Sequence, residues 1–330
     1  MNYKLDVQEV SRISQNICNT ISQFIIGKEK VIQKVMIALL ADGHILFEDF
    51  PGLAKTLMAR LFSESINADF KRVQFTPDLL PSDITGAYIY NQKVQEFEFR
   101  KGPLHTNILL ADELNRSPPK TQAALLEAMQ EYQITIEGTT FKLKPPFWVI
   151  ATQNPIELEG TFGLPEAQVD RFLVRLRIGY PNDEEEVKIL ENRISRQTRE
   201  MHIKNPIITL EEMLKMQNVI EKVKIVPDII KYITTIVQAT RVHPKLEIGA
   251  SPRGSLALLN LSRASAVFHG RDYVTPEDVK EFAIPALAHR VILKSGEWLG
   301  GIAAESIILD ILGKIIAPRK DIKVESDIKV

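Results

Sequence analysis

Cysteine is almost absent. Of 330 residues only Cys18 carries a thiol, so neither an intramolecular disulfide nor a cysteine metal cluster can form. Cys18 sits between Ile17 and Ile21 in a helical pattern without a basic neighbour, which reads as a small buried hydrophobe rather than a reactive thiol. Net charge is missing too: 41 lysines and arginines against 42 aspartates and glutamates leave −1. No global field therefore draws the protein to nucleic acid or to an anionic membrane. Long hydrophobic runs are lacking. In the most apolar stretch, Trp298 to Ala317, Glu305, Asp310 and Lys314 interrupt a set of isoleucines and leucines (307, 308, 311, 312, 315, 316) at helical spacing. One amphipathic helix is expected there, not a membrane span. Met1 to Gln15 mixes both signs of charge and lacks the apolar core of a secretion signal, so the cytoplasm is the expected address. None of the six histidines has the paired spacing of a zinc-protease helix.

What is present describes an ordinary globular protein. Hydrophobic residues make up 45% and charged residues 25%, which excludes wholesale disorder. A length of 330 residues suggests two domains. Folding a chain of this size buries roughly three quarters of its unfolded surface, so no disulfide or structural metal is needed.

Asp6 to Phe24 reads as an amphipathic helix, with Val7, Val10, Ile13, Ile17 and Ile21 on one side. From Gly43 to Gly179 short apolar runs alternate with helical ones. Strands are expected at 44–47, 70–75, 107–111, 148–152 and 174–178, and helices at 55–66 and from Ser117-Pro118 to near Tyr132. Such continuous apolar strands imply a mostly parallel sheet covered on both faces. Ala87 to Arg100 and Gln133 to Leu143 alternate at period two around polar turns and read as inserted β-hairpins. After Tyr180-Pro181 helical periodicity takes over, beginning with the acidic first turn at 182–186. Thr275-Pro276-Glu277-Asp278 is a further helix start. The boundary is therefore placed at 180/181, giving domains 1–180 and 181–330. The tail from Lys320 to Val330 is polar and reads as disordered or as an edge strand.

Three segments carry chemistry. Glu48 to Thr56 joins the first strand to its helix and contains Gly52-Leu53-Ala54-Lys55-Thr56. A phosphate loop needs backbone N–H groups at a helix N-terminus, a lysine for the outer phosphates and a hydroxyl for Mg²⁺. Lys55 and Thr56 supply the last two, and Gly52 stands where positive φ is expected. Asp49 replaces the first glycine of the usual pattern and Ala54 the second. Ala54 suits the loop if its backbone angles are already helical. Downstream, the strand 107–111 delivers Asp112 and Glu113 to its carboxyl end, where ligands of open α/β sheets bind. The first carboxylate can hold Mg²⁺ and the second can polarise an attacking water. The strand 148–152 ends in Asn154, whose amide can meet a γ-phosphate or that water. Arg171 follows near the start of the fifth strand, with Asp170 or Glu166 as its ordinary partners. Arg253 opens a later helix, a poor place for a cation that an anionic ligand nearby would explain.

Gly43 to Phe172 resembles the motor domain of AAA+ ATPases, specifically the MoxR family. Pro51 to Thr56 is similar to that family's phosphate loop, which often has alanine before the lysine. Leu110 to Arg116, followed by 121–129, resembles its Walker B region, and 151–155 its sensor 1 segment. Asp170-Arg171-Phe172 resembles its arginine-finger segment, and Ser251-Pro252-Arg253 its sensor 2. The two hairpins match the helix-2 and pre-sensor-1 inserts of that AAA+ branch.

The resemblance implies an α/β motor with a mostly parallel five-stranded sheet and two hairpin inserts, followed by an all-α lid. It implies an ATPase using ATP and Mg²⁺, with Ile26 and Gly27 at the adenine, Pro51 through Leu57 (Pro51, Gly52, Leu53, Ala54, Lys55, Thr56, Leu57) at the phosphates, and Thr56 and Asp112 at the metal. Glu113, Asn154, Arg171 and Arg253 would be catalytic, with Arg116 the alternative trans-acting arginine. It further implies a chaperone-like remodeller in rings, expected to be hexameric, that matures or activates partner complexes, often with von Willebrand A-domain proteins. Two other readings compete. A DNA motor is disfavoured because the 133–143 hairpin carries only Lys142, balanced by Glu137. A non-hydrolysing nucleotide switch would need none of Glu113, Asn154, Arg171 and Arg253.

Overall fold

A computed structural model describes residues 5–154, 162–197, 200–299 and 301–318, with the backbone alone at 166, 167, 298 and 299. Pro155, the Glu166 side chain and the tail from Lys320 lie outside the described residues. The elements are α1 (Val7–Ser22), α2 (Glu29–Leu40), β1 (Ile45–Glu48), α3 (Lys55–Ser65), β2 (Phe70–Gln74) and α4 (Pro81–Thr85). There follow β3 (Gly86–Asn91), β4 (Glu96–Lys101), β5 (Ile108–Asp112), α5 (Pro119–Glu131), β6 (Gln133–Ile136), β7 (Thr139–Lys142), β8 (Trp148–Gln153), α6 (Glu166–Val169) and β9 (Val174–Leu176). The remainder comprises α7 (Asp183–Arg196), α8 (Leu210–Ile220), α9 (Pro227–Val242), β10 (Leu246–Ile248), α10 (Pro252–Phe268), α11 (Pro276–Leu287), β11 (Ile292–Leu293), α12 (Ser295–Leu299) and α13 (Ala304–Lys314).

Five strands form one sheet in the order β2-β5-β8-β1-β9, and every neighbouring pair is parallel. Because side chains alternate across a strand, the apolar runs split between two cores. Ile45, Phe47, Ile108, Leu110, Trp148 and Ile150 face α1, α2, α3 and the helical lid. Leu46, Leu109, Ala111, Val149 and Ala151 face Leu125, Leu126 and Met129 of α5. The two hairpins, β3–β4 and β6–β7, form where expected and are joined by stacking of Phe99 on Phe141, with ring centroids 4.4 Å apart.

Helix starts follow their capping chemistry. The Asp6 carboxylate accepts the Glu9 N–H, Asn182 and Glu185 close a capping box on α7, and Thr275 and Asp278 close one on α11. α1 packs against both α2 and α10, and the Ser11 hydroxyl donates to the Phe268 carbonyl at 2.7 Å. Cys18 is buried, and burial pushes its thiol up to about 12.

Two expectations need correction. The stretch 298–317 holds the expected helix only from Ala304 to Lys314, after a turn at Gly301 with φ 76°. Ile307, Ile308 and Ile311 are buried, but α13 ends at Lys314 and Ile316 stands 92% exposed. The lid, expected to be all-α, also carries a short antiparallel ribbon, β10–β11. Among the described residues no helix is long and apolar enough to cross a membrane.

His44 locks the amino end of the sheet. Its Nδ1 accepts the Val149 N–H at 3.1 Å, which leaves Nε2 to donate to the Met129 carbonyl at 3.0 Å. Burial holds its pKa down at about 4, so the folded state resists a proton that the unfolded chain accepts near 6.5. Stability from this residue is complete above pH 6.5 and falls as pH drops toward 4, by up to about 3 kcal/mol. Urea unfolding of His44→Gln is expected to show a shallower loss between those pH values than wild type. Equal slopes would exclude His44 as the cause.

Candidate active site

Parallel strands bring the carboxyl ends of β1, β5 and β8 to one edge, and a cleft of about 440 Å³ opens there. Its walls are Pro51 through Leu57, together with Asp112, Glu113, Thr152 and Asn154. The loop, the carboxylate pair and Asn154, separate in sequence, thus meet in one place. Arg72 and Gln74 of β2 complete the lining, and sequence reading had missed both.

The loop departs from its expected form in an instructive way. Gly52 has φ 83°, as anticipated. Ala54, however, has φ 58° and ψ 20°, which is left-handed rather than helical. A methyl group there costs about 1–2 kcal/mol. Ala54→Gly is therefore expected to leave stability unchanged or raised, whereas Ala59→Gly inside α3 should cost at least about 1 kcal/mol. Equal losses in urea unfolding would refute strain at Ala54.

Asp49 explains why its position need not be glycine. Its carboxylate is buried and accepts N–H groups from Phe50 (3.0 Å), Ile178 (2.6 Å) and Gly179 (2.7 Å), which ties the loop to the chain leaving β9. The Phe50 ring stacks on Tyr180 at 5.5 Å. Lys55 donates to the Asp49 carbonyl at 2.7 Å. Burial holds the Lys55 ammonium below its usual pKa, against the pull of Asp49, Asp112 and Glu113. The only local signal of this arrangement was the acidic residue where a glycine belongs.

The two carboxylates are held from several sides. The Glu113 N–H donates to the Thr152 hydroxyl at 2.8 Å, and that hydroxyl donates to Asp112 Oδ1 at 2.6 Å. Asp112 Oδ2 accepts from Arg72 Nη2 at 2.7 Å. Glu113 Oε2 accepts from Gln74 Nε2 at 2.6 Å and pairs with Arg116 at 3.1 Å. Like Ala54, Glu113 is left-handed, at φ 56° and ψ 48°. Non-glycine residues in that conformation cluster at functional sites.

Other expected site residues lie apart from this cleft. Ile26 and Gly27 do not line it. Lys28 bonds the Tyr180 carbonyl at 2.9 Å, placing their segment beside the Tyr180–Phe50 stack. Gly27 has φ 72°, and a Cβ there would fall 2.0 Å from the Glu185 side chain. Arg171 and Arg253 line a second cleft with Asp170 and Arg290, near Gly43 and His44 at the amino end of the sheet. Lys55 lines the first cleft and Arg253 the second, so in this arrangement the two do not share one cleft. Arg253 pairs with Asp170 at 3.4 Å. Asp170 also binds Arg290 Nε at 2.8 Å, so it is not the partner of Arg171. Among the described residues Arg171 Nε is buried without a hydrogen-bond partner. Arg290, unforeseen from sequence, further bonds the Phe172 carbonyl at 2.7 Å and so clamps this loop to the lid.

Residues 44–174 match the ATPase family associated with various cellular activities (AAA), and residues 238–311 match the AAA lid domain. Protein YeaC of Bacillus subtilis is 48% identical over 90% of this chain and 92% of its own length. Chaperone MoxR1 of Mycobacterium tuberculosis is 40% identical over 91% and 81%. The crystal structure of a Cytophaga hutchinsonii protein superposes with a TM-score of 0.88 at 41% identity, covering 95% of this chain and 97% of that one. With an AAA motor, an AAA lid and this likeness to a MoxR chaperone along most of its length, the chain belongs to the MoxR family of AAA+ ATPases.

Proposed function

We propose that this protein hydrolyses ATP and uses the energy to remodel partner protein complexes from within a ring. One observation carries the reading: Lys55, Thr56, Asp112, Glu113 and Asn154 line a single cleft at the carboxyl ends of three parallel strands. Lys55 and the backbone of 51–57 bind the phosphates, and the segment of Ile26 and Gly27 takes the adenine side. The Thr56 hydroxyl and the Asp112 carboxylate are hard oxygen donors suited to Mg²⁺, and they face the same space. The metal, when bound, neutralises charge on the transferring phosphoryl group. Glu113 polarises the attacking water and Asn154 orients it. Arg171 and Arg253, together on the far edge, serve the nucleotide of a neighbouring subunit.

That far-edge placement supports a head-to-tail ring, and a hexamer is the proposed form. Remodelling of partner complexes, with a von Willebrand A-domain protein as helper and the cytoplasm as address, extends the reading from the family. Steady-state phosphate release tests hydrolysis directly, and its absence under saturating Mg-ATP would leave only a nucleotide switch. Co-purification with Glu113→Gln, which traps ATP, tests the remodelling role. Failure to retain a protein partner that wild type releases would remove it.

A further inference from the structure

Arg72 belongs to neither the phosphate loop nor the carboxylate pair, yet it bonds the first carboxylate and lines the same cleft as the loop. β2 is the edge strand of the sheet, and its residues 72 and 74 share one face. Pairing of β2 with β5 sets Arg72 and Gln74 beside Asp112 and Glu113. The guanidinium meets a single carboxylate oxygen, with Nε at 3.1 Å and Nη2 at 2.7 Å from Asp112 Oδ2, because Thr152 already holds Oδ1. The Arg72 side chain is 49% exposed. Such a solvated, one-oxygen contact is weak and easily surrendered. A divalent cation at the same carboxylate would outcompete it. The released guanidinium already lines the cleft with Lys55 and has the planar fork that suits phosphate oxygens.

We propose that Arg72 is a transferable counter-cation: it holds Asp112 until Mg²⁺ arrives with the nucleotide, and then turns to the outer phosphates. The proposal rests on the ATP-binding reading above. Arg72 also donates to Gln74 Oε1 at 2.8 Å, and Gln74 in turn holds Glu113. Departure of the guanidinium therefore loosens the tether on the second carboxylate as well. Metal arrival and release of Glu113 become one event.

The test is equilibrium binding of a fluorescent ATP analogue to full-length protein, with Mg²⁺ and separately with a chelator. Arg72→Gln is expected to weaken binding roughly ten-fold in Mg²⁺, the scale of one charge-assisted hydrogen bond, and by no more than about two-fold in chelator. Asp112→Asn removes the resting partner. In that background the same Arg72→Gln change should weaken binding in chelator by a similar roughly ten-fold factor. Equal losses with and without Mg²⁺ would make Arg72 a permanent phosphate contact and overturn the transfer. Unchanged or tighter binding in Mg²⁺ would make it a mere neutraliser of Asp112 and overturn it too. Lack of binding by wild type would instead strike the ATP reading itself. Thermal unfolding of each variant verifies that it is folded.

Discussion

Glu113→Gln is expected to bind ATP like wild type while turnover falls by roughly 10²-fold or more, the scale of general-base assistance. Glutamine keeps the shape but not the charge. The side chain ends 2.6 Å from the Gln74 amide and 3.1 Å from Arg116, so the substitution exchanges a charge-assisted contact for a neutral one without opening a cavity. Lys55→Ala is expected to fail at an earlier step. Lys55 is buried in the cleft wall with its ammonium on the Asp49 carbonyl, and its removal takes away the cation facing the phosphates. Nucleotide affinity, measured with a fluorescent analogue, should therefore drop in Lys55→Ala and hold in Glu113→Gln. Equal binding losses in the two would sink this division of labour.

Arg171→Ala is expected to lower hydrolysis by about 10³-fold or more, the range of an arginine supplied to a transferring phosphoryl group. The proposed reading makes the donation intermolecular. Arg171 lies in the cleft at the amino end of β1 and β9, while the phosphate loop leaves the carboxyl end of β1. In the proposed head-to-tail ring that edge would face the next subunit's loop. Arg116, the other candidate, pairs with Glu113 of its own chain. Mixing Glu113→Gln with Arg171→Ala under subunit exchange should then restore activity. A site is competent where an Arg171→Ala subunit, with intact Glu113, sits beside a Glu113→Gln subunit donating Arg171. Random neighbours give about a quarter of sites when sites act independently. If subunits exchange and Arg171→Ala alone hydrolyses at the wild-type rate, Arg171 is not the finger and Arg116 takes its place.

Much of the scaffold was legible because its signals are local. The apolar runs at 44–47, 107–111 and 148–152 read as buried strands at period-independent length, and the strands stand at 45–48, 108–112 and 148–153. The acidic first turn at 182–186 and Thr275-Pro276-Glu277-Asp278 announced helices that begin at Asp183 and Pro276. The same locality misled near 315–316, where helical spacing runs on past Lys314, the last residue of the helix, to the exposed Ile316.

The sequence by itself determined the candidate residues that meet in the cleft: Lys55 and Thr56 follow a strand and open a helix, and Asp112 and Glu113 end a strand, all within contiguous motifs. Tertiary structure decided who holds them. Asp49 reaches Ile178 and Gly179, Arg72 and Gln74 reach the carboxylates only because β2 lies beside β5, and Asp170 joins Arg253 and Arg290 across the lid. It also decided the left-handed backbone of Ala54, which its side chain opposes, and the placement of Arg171 and Arg253 away from Lys55. The physical reason is range. Backbone propensity and capping act over three or four residues, whereas strand order and lid docking bring together side chains 40 to 130 positions apart, and no local preference encodes which pairs those will be.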